Sequence, residues 1–297
     1  MSHHVMAALL CAAGLSLTGC APPDPGEAAR ALSGTELANC CDNAEFYPPP
    51  VMQIADPLMP VLGPVFGNVV FREGHLEPPA AREAILAQLE PMDLLALSSK
   101  NRLSGKTLPG LFGHVVLYLG SEDDLKRAGL WDDPAVVPHH TAIRNGMYFI
   151  EADTNGVHLS DANHALATDA LSILRLKTGC GTDRCDARAA FATLGREYDF
   201  TFDGTDPTKL YCTELAQIGL PGVDLPDRRL YDYTLMLPDD LVALVLADKS
   251  ELKLVTHFTG TEKGWSETGR SGAMSELKGW WREAAVQPIP GQRRTLE

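Results

Sequence analysis

Cysteine, histidine and glutamate together can carry out acyl-transfer chemistry. A thiolate attacks a carbonyl, an imidazole moves the proton, and a carboxylate fixes the imidazole. Cys212, His114 and Glu151 each stand in a segment that reads as regular structure. Cys212 opens Cys-Thr-Glu-Leu-Ala-Gln-Ile-Gly-Leu, where Leu215 and Ile218 share one helical face, and Asp206-Pro207 breaks the chain just before it. A thiol in the first turn of a helix lies at the positive end of the backbone dipole, which favours the thiolate, the nucleophilic form of sulfur.

His114 starts a run of strand formers over 114–119, punctuated by Gly113 and Gly120 and preceded by a first strand and a polar loop from Met92 onward. Glu151 lies near the end of an apolar strand expected over 147–152. A carboxylate there costs free energy unless it is paired, and an imidazole is a suitable partner. The turn Thr154-Asn155-Gly156 then leads to a short strand over 157–159.

Each of these residues also has a plainer reading. Cys212 could be a buried core thiol, His114 a hydrogen-bonded core histidine, and Glu151 a strand-end acid reaching solvent. His158 is a rival orienter of the imidazole, although its position reads as an exposed strand residue. Glu214, in the first helical turn, reads as an acid complementing the dipole. The adjacent His139 and His140 point apart in extended chain and no carboxylate follows at helix spacing, so no metal is expected. Trp265, Trp280 and Trp281 read as C-terminal packing or the edge of a groove.

Taken in order, three motifs resemble the permuted papain-like amidases of the YaeF/YiiX type, within the NlpC-like cysteine hydrolase superfamily. They are Gly113-His114-Val115-Val116 before Tyr118-Leu119-Gly120, Ile150-Glu151-Ala152 before Gly156-Val157, and Tyr211-Cys212-Thr213-Glu214-Leu215. The resemblance covers residues 90–220. It implies an α+β, circularly permuted papain-like fold, with the histidine strand before the cysteine helix and an antiparallel sheet packed against that helix. It also implies Cys212 as nucleophile, His114 as general base and then acid, Glu151 as orienter, and a thioester intermediate, with no cofactor. The implied substrate is a peptide or acyl-amide, cell-wall peptides included. An acyltransferase with the same intermediate is a variant, but the lecithin:retinol acyltransferase branch carries Asn-Cys-Glu where this chain has Tyr211 and Thr213. A non-catalytic envelope lipoprotein binding through the same groove is the alternative.

The rest of the chain bears on location. Residues 5–19 are mostly apolar, too few to span a bilayer but suited to the core of a secretory signal. They end in Leu17-Thr18-Gly19-Cys20, which resembles a bacterial lipobox, although the preceding Met-Ser-His-His has no Lys or Arg. This predicts a signal peptide over 1–19, lipidation of Cys20, a Pro/Gly-rich tether over 20–50, one catalytic domain over 51–285 and a loose tail over 286–297. A buried N-terminal helix ending at Gly19 is the plain alternative. Two or more acyl chains would anchor the protein stably in the bilayer. Ala21 is not the Asp that retains lipoproteins at the inner membrane, so the outer membrane facing the periplasm is expected. An oxidising compartment suits a disulfide across the short Cys180–Cys185 loop, whereas Cys40 and Cys41 are adjacent and rarely bridge each other.

Composition narrows the function classes. The 297 residues carry 25 Lys and Arg against 39 Asp and Glu, a formal net charge of −14. That disfavours nucleic-acid binding, which needs a basic stripe, and adsorption to an anionic bilayer by charge alone. The 45% hydrophobic and 22% charged content is that of a folded globular chain.

Overall fold

Short, mostly continuous apolar runs, bounded by turns, fold into a seven-stranded antiparallel sheet. The computed structural model describes residues 56–280, apart from 108, 109, 182, 203, 205, 231 and 232. The segments expected to hold the signal, Cys20, the tether with Cys40 and Cys41, and the tail lie outside the described residues.

In chain order the strands are β1 (Leu94–Ser98), β2 (His114–Tyr118), β3 (Phe149–Asp153), β4 (Gly156–Ser160), β5 (Ala170–Leu176), β6 (Glu197–Tyr198), β7 (Lys209–Leu210), β8 (Asp227–Leu230), β9 (Tyr233–Met236), β10 (Leu252–Thr261) and β11 (Gly264–Glu267). Seven of them form the main sheet, in the order β11-β10-β5-β1-β2-β3-β4, and every pairing in it is antiparallel. β6 and β7 pair in parallel, and β8 and β9 form a hairpin.

Side chains alternate across the sheet with period two, so the two faces bury different sets. On one face Leu94, Ala96, Val115, Leu117, Ile150 and Ala152 pack with Leu215 and Ala216 of the Cys212–Gly219 helix, and with Leu241 and Val242 of the Pro238–Leu246 helix. On the other, Leu95, Leu97, Val116 and Phe149 pack against Ala81 and Ile85 of the Pro79–Leu86 helix. β1, buried along its whole length, is covered on both sides. Each fully buried Leu contributes about 1.5–3 kcal/mol. The architecture is therefore mixed helix and antiparallel sheet, with the cysteine-bearing helix on the sheet, as the sequence implied.

Two buried acids tie the loops to this core. Asp93, just before β1, has no solvent exposure. Arg175 of β5 grips it through Nε and Nη2, both at 2.7 Å, while Nη1 reaches Glu90 and Nη2 also donates to the Gln88 carbonyl. Burial pushes the Asp93 carboxyl up even so, against the pull of Arg175. Asp239, in the first turn of the Pro238–Leu246 helix, accepts from the backbone N–H groups of Leu111 and Phe112 at 2.9 and 2.6 Å. That clamp fixes the approach to His114 at the start of β2.

Replacing Arg175 with Met leaves the Asp93 carboxylate buried without its partner, and such a loss costs about 3–5 kcal/mol. Denaturant unfolding of Arg175→Met should show a loss of this size. A change within experimental error would mean that Asp93 is not held by this pair.

Candidate active site

The cysteine helix begins where the sequence placed it. Tyr211 is its N-cap in extended conformation, and Cys212–Gly219 forms the helix. The Tyr211 N–H donates to Glu214 Oε2 at 3.0 Å, so Glu214 satisfies a free donor of the first turn instead of turning toward the sulfur. Thr213 Oγ1 donates to the Met236 carbonyl at 3.0 Å, joining the helix start to β9. Cys212 is buried, and among the described residues it is the free cysteine.

His114 opens β2 and Glu151 lies inside β3. By strand parity both side chains should point away from the cysteine helix, because Val115 and Ile150 face it. The His114 ring nonetheless interacts with Cys212, and the strand pairing gives the reason. β2 and β3 pair only at Leu117↔Ile150 and Tyr118↔Phe149. Beyond that, residues 114–116 pair only with β1, and residues 151–153 only with β4. The two strands part there, and the His114 and Glu151 side chains bridge the opening, Nε2 to Oε2, at 3.0 Å. His114 also lies close enough to Cys212 for the thiol to act on the charge of its ring. With Nε2 engaged by Glu151, Nδ1 is the ring nitrogen left for the sulfur.

The electrostatics follow from that geometry. Burial works against a charge on His114, but the interactions with Cys212 and Glu151 outweigh it and raise the ring to about 10. The imidazolium form is therefore held through neutral pH. Burial also pushes the Glu151 carboxyl up, yet the His114 hydrogen bond, with His164 and Ser160, holds it below the usual carboxylate range. Glu151 is 3% exposed, so it depends on these partners. The His114 side chain keeps 22% exposure, enough for a reactant to reach it. It lines a cavity with Ser99, Arg102, Glu151, His164 and Tyr198.

Sequence reasoning missed several neighbours. Ser160 donates to Glu151 Oε1. The two-residue turn at Thr154-Asn155 sets the β3–β4 register at Asp153↔Gly156 and Glu151↔His158, and that register already puts Ser160 on the face of Glu151. Gly156 sits at φ +88°, and a Cβ there would lie 2.5 Å from the Arg196 carbonyl oxygen, so this tight turn requires glycine. His158 is half-buried, not exposed, and lies 3.1 Å from Asp153. Tyr198 reaches the site through the β6–β7 pairing. Its phenol is pushed well up, first by burial and then by the charge of Cys212. Nothing in its local sequence signals this.

The remaining candidates have structural explanations. His140 stacks on Trp131 at 3.7 Å and Nε2 hydrogen-bonds the Trp131 carbonyl at 2.7 Å. Trp265 packs on Phe258, and Trp280 lies beneath the Lys100 ammonium at 4.4 Å. Trp281 lies outside the described residues. Cys180 and Cys185 are joined by a disulfide.

Comparison with known proteins gives one family. The family model described as permuted papain-like amidase enzyme, YaeF/YiiX, C92 family matches residues 88–244. No curated protein and no solved structure matches the chain.

Glu214→Ala removes the acceptor of the Tyr211 N–H at the start of the cysteine helix. Loss of a cap costs about 0.5–2 kcal/mol, to be read as a lower midpoint in denaturant unfolding. An unchanged midpoint would remove the capping role.

Proposed function

The chain belongs to the permuted papain-like amidases of the YaeF/YiiX, C92 family, and from that premise we propose that it is an envelope-anchored cysteine hydrolase working through Cys212, His114 and Glu151. The observation that carries the reading is the His114–Glu151 hydrogen bond across the gap between β2 and β3, with Cys212 close enough to act on the same ring. An amide or peptide bond is the substrate class.

In this reading the Cys212 thiolate attacks the scissile carbonyl carbon while His114 carries the proton. His114 gives that proton to the leaving nitrogen as the C–N bond breaks, leaving a thioester on Sγ. A water then loses a proton to His114 and attacks the thioester carbonyl. The S–C bond breaks, the acid leaves, and the sulfur returns to its starting state. Glu151 keeps the imidazole oriented and stabilises its charged form, as the carboxylate of a catalytic triad does.

Location belongs to the same proposal. The lipobox-like Leu17-Thr18-Gly19-Cys20 supports anchoring through an acylated Cys20, and Ala21 supports the outer membrane. The tether would then hold the catalytic domain in the periplasm, within reach of cell-wall peptides and acyl-amides.

Two experiments test this. Wild type and Cys212→Ala are screened against a peptide and acyl-amide library, with covalent adduct mass on Cys212 as readout. Turnover should vanish in Cys212→Ala, and His114→Ala should lose about 10²–10⁴-fold, the usual worth of a positioned acid–base. Iodoacetamide at about pH 6 should modify Cys212 fast in wild type and slowly in His114→Ala, because only the thiolate reacts. Slow modification in both proteins would favour the non-catalytic binder. In a bacterial host, labelled palmitate should enter the wild-type chain and not Cys20→Ala, and equal labelling of the two would sink the anchor.

A further inference from the structure

The oxygen of Glu151 that does not face His114 belongs to a second cluster. His164 Nε2 lies 3.7 Å from Glu151 Oε1 and 3.4 Å from Asp153 Oδ2, and His158 Nε2 lies 3.1 Å from Asp153 Oδ1. One donor atom each from Glu151, His158 and His164 falls within 4.8 Å of the other two. Donors sharing a tetrahedral zinc-like ion, bound at about 2.0–2.2 Å, stand about 3.3 Å apart. Glu151 Oε1 and His164 Nε2, at 3.7 Å, stand close to that spacing.

The orientation of His158 also points to a cation. His158 Nδ1 lies 3.2 Å from the Leu159 carbonyl oxygen. Assigning the proton to Nδ1 lets it donate there and leaves the Nε2 lone pair facing the carboxylates, the orientation that metal-bound histidines almost always adopt. His158 Nε2 is buried and faces Asp153 Oδ1 at 3.1 Å, so an ion seated there would take over an existing contact between imidazole and carboxylate.

We propose that Glu151, His158 and His164, with Asp153 beside them, bind a divalent transition-metal cation of the zinc class, and that the bound cation inhibits the enzyme. Two imidazoles with carboxylates suit zinc-like ions, whereas magnesium and calcium favour all-oxygen shells. His164 is half-exposed, its side chain keeping 39% of its surface, and it lines the same cavity as His114, so an ion has a way in from solvent. Bound at Oε1, the ion competes with His114 for the charge of Glu151 and weakens the carboxylate that orients the ring. The inhibitory part rests on the catalytic reading above, and the binding part does not.

Binding is tested by titrating Zn²⁺ into the full chain carrying Cys212→Ala, which removes the active-site thiol as a ligand, with Mg²⁺ as control. The same chain with His164→Gln or His158→Gln added should lose one equivalent or bind it at least tenfold more weakly. Co²⁺ in place of zinc should give visible d–d absorption at that equivalent without a thiolate charge-transfer band. Circular dichroism confirms that the variants fold, and the half-exposed His164 makes His164→Gln the milder change. Equal stoichiometry and affinity in all three proteins would mean an ion-paired cluster only, and would overturn the site. Inhibition is read as Zn²⁺-dependent slowing of Cys212 alkylation in otherwise wild-type protein, reversed by a chelator and absent in His164→Gln. Slowing that persists in His164→Gln would mean zinc on the thiol itself and would overturn the inhibitory part. If alkylation without metal is slow and indifferent to His114→Ala, the hydrolase reading fails and the inhibitory part with it, while the zinc titration still decides the binding part.

Discussion

A carboxylate inside a sheet must be paired or it destabilises the fold, and Glu151 makes that requirement the organising constraint of the site. At 3% exposure it cannot rely on water. It takes the His114 Nε2–H on one oxygen and the Ser160 hydroxyl on the other, with His164 beside it. Satisfying Glu151 therefore fixes the ring of His114 through Nε2 and leaves Nδ1 as the nitrogen that can serve Cys212. The interactions that make the buried acid tolerable also assemble the candidate triad.

The opening between β2 and β3 makes this possible. Had the two strands stayed paired along their whole length, His114 and Glu151 would both be confined to the face away from the cysteine helix. Because pairing stops at Leu117↔Ile150, the His114 ring can meet Glu151 across the gap and still act on the helix packed on the far face. The Asp239 clamp on Leu111 and Phe112 holds the chain entering β2, and Arg175 holds the chain entering β1 through Asp93. The histidine is thus presented by rigid backbone. This also explains why chain order is immaterial to such a site: strands and helix need only end as spatial neighbours, and either can come first.

Much of the local structure was legible in the sequence. The helix at Cys212, the strand starting at His114 and the hairpin through Thr154-Asn155-Gly156 follow from residue periods and turn chemistry. Their edges were less legible. The strand expected over 147–152 runs Phe149–Asp153, because Gly146 at φ +91° and a turn after it occupy the first positions. The strand expected over 157–159 runs Gly156–Ser160, because the tight register pairs Gly156 with Asp153. His158, which alternation alone suggested was exposed, is half-buried because His164 and Asp153 converge on it from a neighbouring element and strand.

By itself the sequence determined which residues are chemically able, what local structure holds each of them, and, through the order of three motifs, the family. It did so because helix and strand periods and turn preferences depend on neighbours a few residues apart. The tertiary structure alone decided that β1 lies between β5 and β2, that β2 and β3 part where they do, and that Ser160, His164, Tyr198 and Arg175 complete or support the site. Those contacts join segments up to 87 residues apart. They arise from burying two faces of one sheet at once, and no local pattern encodes that condition.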